Sequence, residues 1–321
     1  MIHVIGGGAI GMLYAARLAS QNASQVLLAV RSMEQASYIS EAGIRIEDED
    51  AGSVVRLSSV PTDGAYIEKV MEQPPEWVLI TVKQHHIQDQ LLELFRKTAH
   101  PNSNWVWLQN GMRAMDVIQA QIPGMHWLAV TTEASLRLGI GHIKYTGRGR
   151  TSIGRSTAPL ELSSNEKSRA FSLIEKLEKA GLRAALSNNI IEELWRKLTV
   201  NAIINPLTAI LKIRNGSLLE SDDLQRVMKQ LYREVTAVAE AEYIHLPLNL
   251  WDYVEDVCKQ TSQNYSSTLQ DLMNGRPTEL DWMNGFIIEK ASEHGIEVPT
   301  HQMLYSLVKG LETVHTKPKS D

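Results

Sequence analysis

The sequence predicts an α/β domain with a mainly parallel sheet, followed by an all-α domain, and three observations carry that prediction. A glycine turn follows the first short apolar run and opens a helical pattern. Further apolar runs, each ending in polar or glycine residues, recur through the first half of the chain. Beyond residue 187 the apolar residues return at helical rather than strand spacing. A chain of 321 residues exceeds the usual size of one core, so the expected division is a first domain at 1–187 and a second at 188–321, with a cleft between them.

The first element is the most specific. After a strand beginning at Ile2 come Gly6-Gly7-Gly8-Ala9-Ile10-Gly11, and then a helical pattern over 12–20. In a Rossmann-type dinucleotide-binding turn, Gly6 permits the tight bend, Gly8 lets a pyrophosphate approach the backbone, and Gly11 lets the helix lie close to the sheet. The amides of Gly8, Ala9 and Ile10 then face the phosphates at the helix N-terminus. The bare GxGxxG is weak on its own; its place between first strand and first helix gives it weight.

The next strand, at 25–30, ends in Arg31-Ser32, where an NAD-binding protein usually carries an acidic residue for the ribose hydroxyl. A guanidinium there suits a 2'-phosphate, so the expected cofactor is NADPH/NADP+, with Glu34 nearby as a countersignal. Strands are also expected at 77–82, 105–108 and 127–130. Lys83 and Asn110 follow the first two, at strand ends where open parallel sheets bind ligands. His85 and His86 are adjacent, and no acidic or cysteine residues complete a metal site around them, so no metal is expected. The glycine-rich stretch at 139–154 reads as a hairpin extending the sheet, with Arg148 and Arg150 on a turn that is either solvated or touches phosphate.

Composition excludes several functions. The 32 basic and 37 acidic residues leave a net charge of -5, which argues against a broad nucleic-acid surface. The single cysteine, Cys258, cannot form an internal disulfide and fits a reducing compartment. No signal-peptide pattern opens the sequence and no apolar run is long enough to span a bilayer, so the expected location is cytoplasmic, with neither membrane nor nucleic acid as partner.

The last strand of the first domain is expected at 181–186, and Ser187-Asn188-Asn189 then offer caps to a helix with Glu192 and Glu193 in its first turn. That helix places Lys197, Asn201 and Asn205 at i, i+4 and i+8, on one face and over roughly 12 Å, the scale of a small oxo acid with a nicotinamide amide. A solvated face with a Glu193 to Lys197 pair is the alternative. Pro206 lacks a backbone donor, so a kink is expected at Asn205. Asn264 and Ser267 open a further helix, and Glu279 and Asp281 follow a Gly-Arg-Pro turn, where they serve either a site or the helix dipole. The tail beyond Val314 is expected to be disordered.

Gly6-x-Gly8-x-x-Gly11, Arg31, Val82-Lys83, Gln109-Asn110-Gly111-Met112, Leu194-Trp-Arg-Lys197-Leu-x-Val-Asn201-x-x-Ile-Asn205-Pro206, Asn264-x-Ser-Ser267 and Thr278-Glu279-x-Asp together resemble the ketopantoate reductase family. The resemblance spans nearly the whole chain, and its Trp-x-Lys-Leu helix is far more specific than its glycines. It implies a Rossmann-type domain followed by a helical domain like the C-terminal domain of 6-phosphogluconate dehydrogenase. The activity it implies is NADPH-dependent reduction of 2-dehydropantoate (ketopantoate) to D-pantoate in pantothenate and coenzyme A biosynthesis, by a soluble enzyme compatible with a homodimer. Carried over by position, Lys197 is the catalytic acid and Glu279 its partner. Asn110, Asn201, Asn205, Asn264 and Ser267 meet substrate, while Gly6, Gly8, Ala9, Ile10, Gly11, Arg31, Lys83 and Asn110 meet cofactor. His86 departs from the pattern, since some relatives carry Gln there near the adenine. Two other readings stay open, a paralogue reducing a different 2-oxo acid and a non-catalytic NADPH sensor.

Overall fold

A computed structural model describes residues 1–48, 52–108, 120–155 and 162–316. They separate into two compact units, one reaching Ile190 and the other starting at Ile191. In the first unit the strands are β1 Ile2–Ile5, β2 Val26–Val30, β3 Ile44–Glu47, β4 Ser53–Val55, β5 Ser58–Pro61, β6 Trp77–Ile80, β7 Asn104–Trp107, β8 Met125–Thr131, β9 Ala134–Gly139, β10 His142–Gly147, β11 Thr151–Gly154 and β12 Ala184–Leu186. Its helices are α1 Ala9–Gln21, α2 Met33–Ala42, α3 Gly64–Glu72, α4 Asp89–Thr98 and α5 Ser164–Lys179.

The main sheet has the order β12-β11-β8-β7-β6-β1-β2-β5. Every pairing in it is parallel except β11 with β8. β1, β2, β6 and β7 are buried along their whole length, the pattern of strands covered on both faces. Ile5 lies opposite both Ala29 and Ile80, so β1, β2 and β6 end nearly flush. That register brings the residues following three strands to one edge, where the first unit's candidate site lies.

One expected feature lies elsewhere. The stretch at 139–154 does not form one hairpin on the main sheet: β10 pairs instead with the preceding β9 and enters a second sheet of order β4-β3-β10-β9, in which it runs parallel to β3. Only β11 of that stretch joins the main sheet. The reason is burial. Ile44, Ile46, Ile143 and Tyr145 share the core beneath α1 with Met12, Leu13 and Ala16, so the small sheet covers a helix face that the main sheet cannot reach. Arg148, on the turn after β10, is exposed and pairs with Asp48 at 3.5 Å.

The described part of the second unit is helical: α6 Ile190–Leu211, α7 Asp222–Ala241, α8 Leu250–Gln260, α9 Ser267–Met273, α10 Asn284–Glu293 and α11 Pro299–Thr316, with short 3-10 turns at Asn215–Leu219 and Leu280–Trp282. α6 is its axis. Trp195, Leu198 and Ala202 pack on Val235, Val238, Met283 and Ile287, while Val200, Ile203, Ile204 and Leu207 pack on Met228, Leu231 and Val254. A helix apolar on nearly every side must be enclosed, so the polar residues it does carry stand out. The chain does not leave helical geometry at Asn205, since α6 continues through Pro206 to Leu211. No described helix is long and apolar enough to cross a membrane. α11 reaches Thr316, and the residues after it lie outside those described.

Candidate active site

In the first unit the candidate site is backbone. Gly6 has φ +129°, a conformation that side-chain-bearing residues rarely adopt, and a Cβ there would stand 2.6 Å from Thr81 Oγ1. At Gly11 a Cβ would collide with the Gly6 carbonyl and with Thr81 Oγ1. Close approach of α1 to the strand therefore demands glycine. Gly8 differs from both: it precedes α1 without a capping side chain, and a Cβ there would meet nothing within 4 Å. The first-turn amides of α1, at Ala9, Ile10 and Gly11, lack intrahelical partners because the first ladder bond runs from Met12 N to Gly8 O. An open approach to a positive helix end fits a pyrophosphate.

Two side chains that sequence reasoning passed over hold this turn. Thr81 Oγ1 donates to Ile5 O at 3.0 Å, and Gln35 Nε2 donates to Gly7 O at 2.9 Å and to Ile140 O at 2.8 Å. Gln35 is buried on α2, 28 residues from the carbonyl it binds. No spacing rule links the two residues, so only the fold reveals the contact.

Beside the turn, Arg31 follows β2 and is exposed, and Ser32 caps α2 by accepting from Gln35 N. Lys83 follows β6 and precedes a short 3-10 turn at Gln84–His86. Partial burial first, then the charges of Arg31 and Lys83, hold the His86 imidazole below its ordinary pKa. The two cations therefore lie close enough to His86 to be felt by it. A cluster of positive groups next to open helix amides suits a phosphorylated ribose, and the chain's residues fit a nicotinamide dinucleotide. Asn110, the other expected strand-end ligand, lies outside the described residues.

The second unit carries its own candidate residues, on α6. Lys197 is half-buried, and the loss of water around its ammonium brings its pKa down from 10.5 to about 8, while the negative charge of Glu279 acts in the opposite direction. Glu279 is itself buried, 82 residues further on, at the entrance to the 3-10 turn at Leu280–Trp282. One helical turn after Lys197 comes Asn201, half-buried, and after another comes Asn205, buried. Asn205 Nδ2 donates to Ser267 Oγ at 3.3 Å and approaches Met283 Sδ at 3.8 Å. The stripe is thus not a solvated face.

α9 is tied to α6 at the same level. Ser266 caps α9 by accepting from Leu269 N at 3.2 Å, and Thr208 Oγ1, one turn beyond Ile204, reaches Ser266 Oγ at 2.7 Å. The neighbouring Ser267 is exposed, and its hydroxyl accepts the bond from Asn205. Asn264 is also exposed; its backbone carbonyl accepts from Asn215 N at 3.0 Å. Folding therefore joins Lys197 with Glu279, and Asn205 with Ser267. Asp281, read together with Glu279 in the sequence, is occupied instead by Tyr305 and Lys309. Cys258 is buried in the helical core, which pushes its thiol up to about 12. Among the described residues no group of three or more His, Cys, Asp and Glu is arranged to hold a metal ion.

Comparison with known proteins bears on the fold and the family. The family described as Ketopantoate reductase PanE/ApbA matches residues 2–158, and its C-terminal counterpart matches residues 189–312. A 2-dehydropantoate 2-reductase of Pyrococcus abyssi is 30% identical over 322 residues, covering 98% of this chain and 99% of its own. The chain belongs to the ketopantoate reductase family. Among solved structures, the PanE/ApbA family ketopantoate reductase from Ralstonia eutropha JMP134 is 27% identical, with a TM-score of 0.86 over 99% of this chain and 100% of that one. A D-mandelate dehydrogenase solved with NADH and anilino(oxo)acetate shares the fold at 24% identity, with a TM-score of 0.88 and coverage of 99% and 100%. The protein is an oxidoreductase using a nicotinamide dinucleotide, on a Rossmann-type domain followed by a helical one.

Proposed function

We propose that the protein reduces 2-dehydropantoate to D-pantoate with NADPH, and that Lys197 is the proton donor. The observation that carries the reading is a half-buried lysine on the central helix of the helical unit, its pKa lowered to about 8 by lost solvation, with a buried carboxylate acting on it. When bound, the reduced nicotinamide supplies a hydride to the ketone carbon. Negative charge then grows on the carbonyl oxygen, and a cation that can also give up a proton lowers that barrier. Lys197 has both properties, because a group with a pKa near 8 is mostly protonated at neutral pH yet releases its proton readily. Glu279 offsets the cost of keeping that charge away from water.

The remaining polar residues supply orientation. Ser267 and Asn264, both exposed, offer a hydroxyl and an amide to the substrate carboxylate, and Asn201 with Asn205 orient the hydroxyl-bearing end. A site that hydrogen-bonds a hydroxyl discriminates strongly against acids lacking one. NADPH is favoured over NADH because Arg31, after β2, and Lys83, after β6, offer the positive charge that a 2'-phosphate needs, and both act on His86. A phosphate there favours protonated His86, so NADPH should bind more tightly as pH falls.

The second reading is reduction of a different 2-oxo acid, since one fold serves more than one acid in this group of structures. The test is steady-state oxidation of NADPH and of NADH with ketopantoate and a panel of 2-oxo acids with and without a hydroxyl. Highest kcat/KM for ketopantoate with NADPH supports the proposal. A better acid in the panel gives the second reading, and no turnover with any acid removes both.

A further inference from the structure

Pro206 stands inside α6 and has no N–H, so the ladder bond that would end on the carbonyl of Ala202, four residues earlier, cannot form. Ala202 is fully buried and has no water to turn to. Its carbonyl nevertheless has a donor: Asn284 Nδ2, from the first residue of α10, lies 2.9 Å away. The same amide donates to His301 Nδ1 at 2.9 Å, and His301 Nε2 in turn faces Leu231 O at 3.2 Å. These partners assign the imidazole as a neutral ring with its proton on Nε2, and burial holds its pKa at about 4. Asn284 Oδ1, by contrast, is buried without a partner among the described residues. A side chain that leaves its acceptor idle in the core is there for its two donor hydrogens.

The position of Asn284 gives those hydrogens a further effect. Asn284 ends the compact turn that begins at Glu279, in which Trp282 N donates to Glu279 O and Met283 N to Leu280 O, both at 3.1 Å. Met283, its neighbour, touches the Asn205 amide. The segment bearing Glu279 is therefore fastened to the stretch of α6 between Asn201 and Asn205 at two adjacent residues. We propose that Asn284 is a positioning residue of the active site: by supplying the donor that Pro206 lacks, its amide locks the Glu279 turn onto α6 and keeps Glu279 in fixed relation to Lys197. Asn284 acts through these groups and does not itself meet substrate. The inference rests on Lys197 being the proton donor.

Three variants beside the wild type test it: Asn284→Ala, Pro206→Ala, and the double variant. The readouts are melting temperature, KM for the oxo acid and for the cofactor, and kcat against pH. Asn284→Ala is expected to melt lower, to raise the acid KM so that kcat/KM for the acid falls about tenfold, the scale of one buried hydrogen bond, and to keep its cofactor KM. Its basic limb should move to lower pH, because a displaced Glu279 supports the ammonium less. Pro206→Ala gives Ala202 a helical donor again. The double variant is therefore expected to recover melting temperature while keeping the displaced limb and the raised acid KM. A limb and KM unchanged in Asn284→Ala, or restored together with stability in the double variant, would reduce Asn284 to a structural bond and overturn the inference. Should the single variant fail to fold, the double variant against Pro206→Ala reads the same limb. Failure of the underlying reading is separate, and shows as a Lys197→Ala enzyme that keeps its turnover.

Discussion

The two halves of the molecule build their candidate sites by different means. At the ends of β1, β2 and β6 the work is done by backbone: glycines without side chains, helix amides without partners, and cations following strands that end flush. On α6 the work is done by side chains: Lys197 lies under the charge of Glu279, and Asn205 donates to Ser267, both partners coming from distant segments. The difference teaches where each half is vulnerable. A backbone site tolerates change beside it and fails when a Cβ is added; a side-chain site fails when one atom group is removed or its water is returned.

The comparison breaks first at Lys197. Lys197→Ala should lose about 10² to 10⁴ in kcat, the usual worth of a positioned acid, while titration of the reduced cofactor shows unchanged binding. Near-normal turnover in that variant would reject the acid. At the other half, Arg31→Ala should leave kcat with NADPH nearly intact but lower the kcat/KM preference for NADPH over NADH by about tenfold to a hundredfold, as expected for charge-assisted bonds to one phosphate. An unchanged preference would place the 2'-phosphate elsewhere.

A finer distinction lies in pH. With Lys197 near 8, turnover should fall as pH rises through that value, because the acid form is lost. Glu279 raises that pKa, so Glu279→Gln should shift the falling limb to lower pH; a limb that stays in place would remove Glu279 from the role. The smallest expected effect is on stability. Between about 8 and the ordinary 10.5 the unfolded chain holds a proton that folded Lys197 has released, so stability rises with pH across that window and the burial penalty is fully present below it. Lys197→Met should therefore melt a few degrees higher at neutral pH, with the gain fading towards pH 10.5, in the manner of residues kept for activity at a cost in stability. A variant that melts lower at neutral pH would contradict the burial assigned to the ammonium.

Much of the first half was legible before folding. The glycine pattern works through steric rules that hold at each residue, and Arg31 and Lys83 follow apolar runs whose ends are visible in the sequence. Even so, Gln35 and Thr81 were not legible, because the carbonyls they bind lie 28 and 76 residues away. The strands flanking the glycine-rich turn at 147–150 were legible as strands, but not that β10 pairs with β9 and β3 while β11 enters the main sheet, which depended on which apolar face needed cover.

On α6, the spacing of Lys197, Asn201 and Asn205 and the presence of Pro206 were determined by the sequence alone. Whether that stripe faced solvent, which carboxylate acted on the lysine, and how the carbonyl left by Pro206 was satisfied were decided only by tertiary structure. The reason is physical. Helical periodicity sets which residues share a side, a local property, whereas desolvation and partner choice depend on segments brought from elsewhere in the chain, such as Glu279 and Asn284.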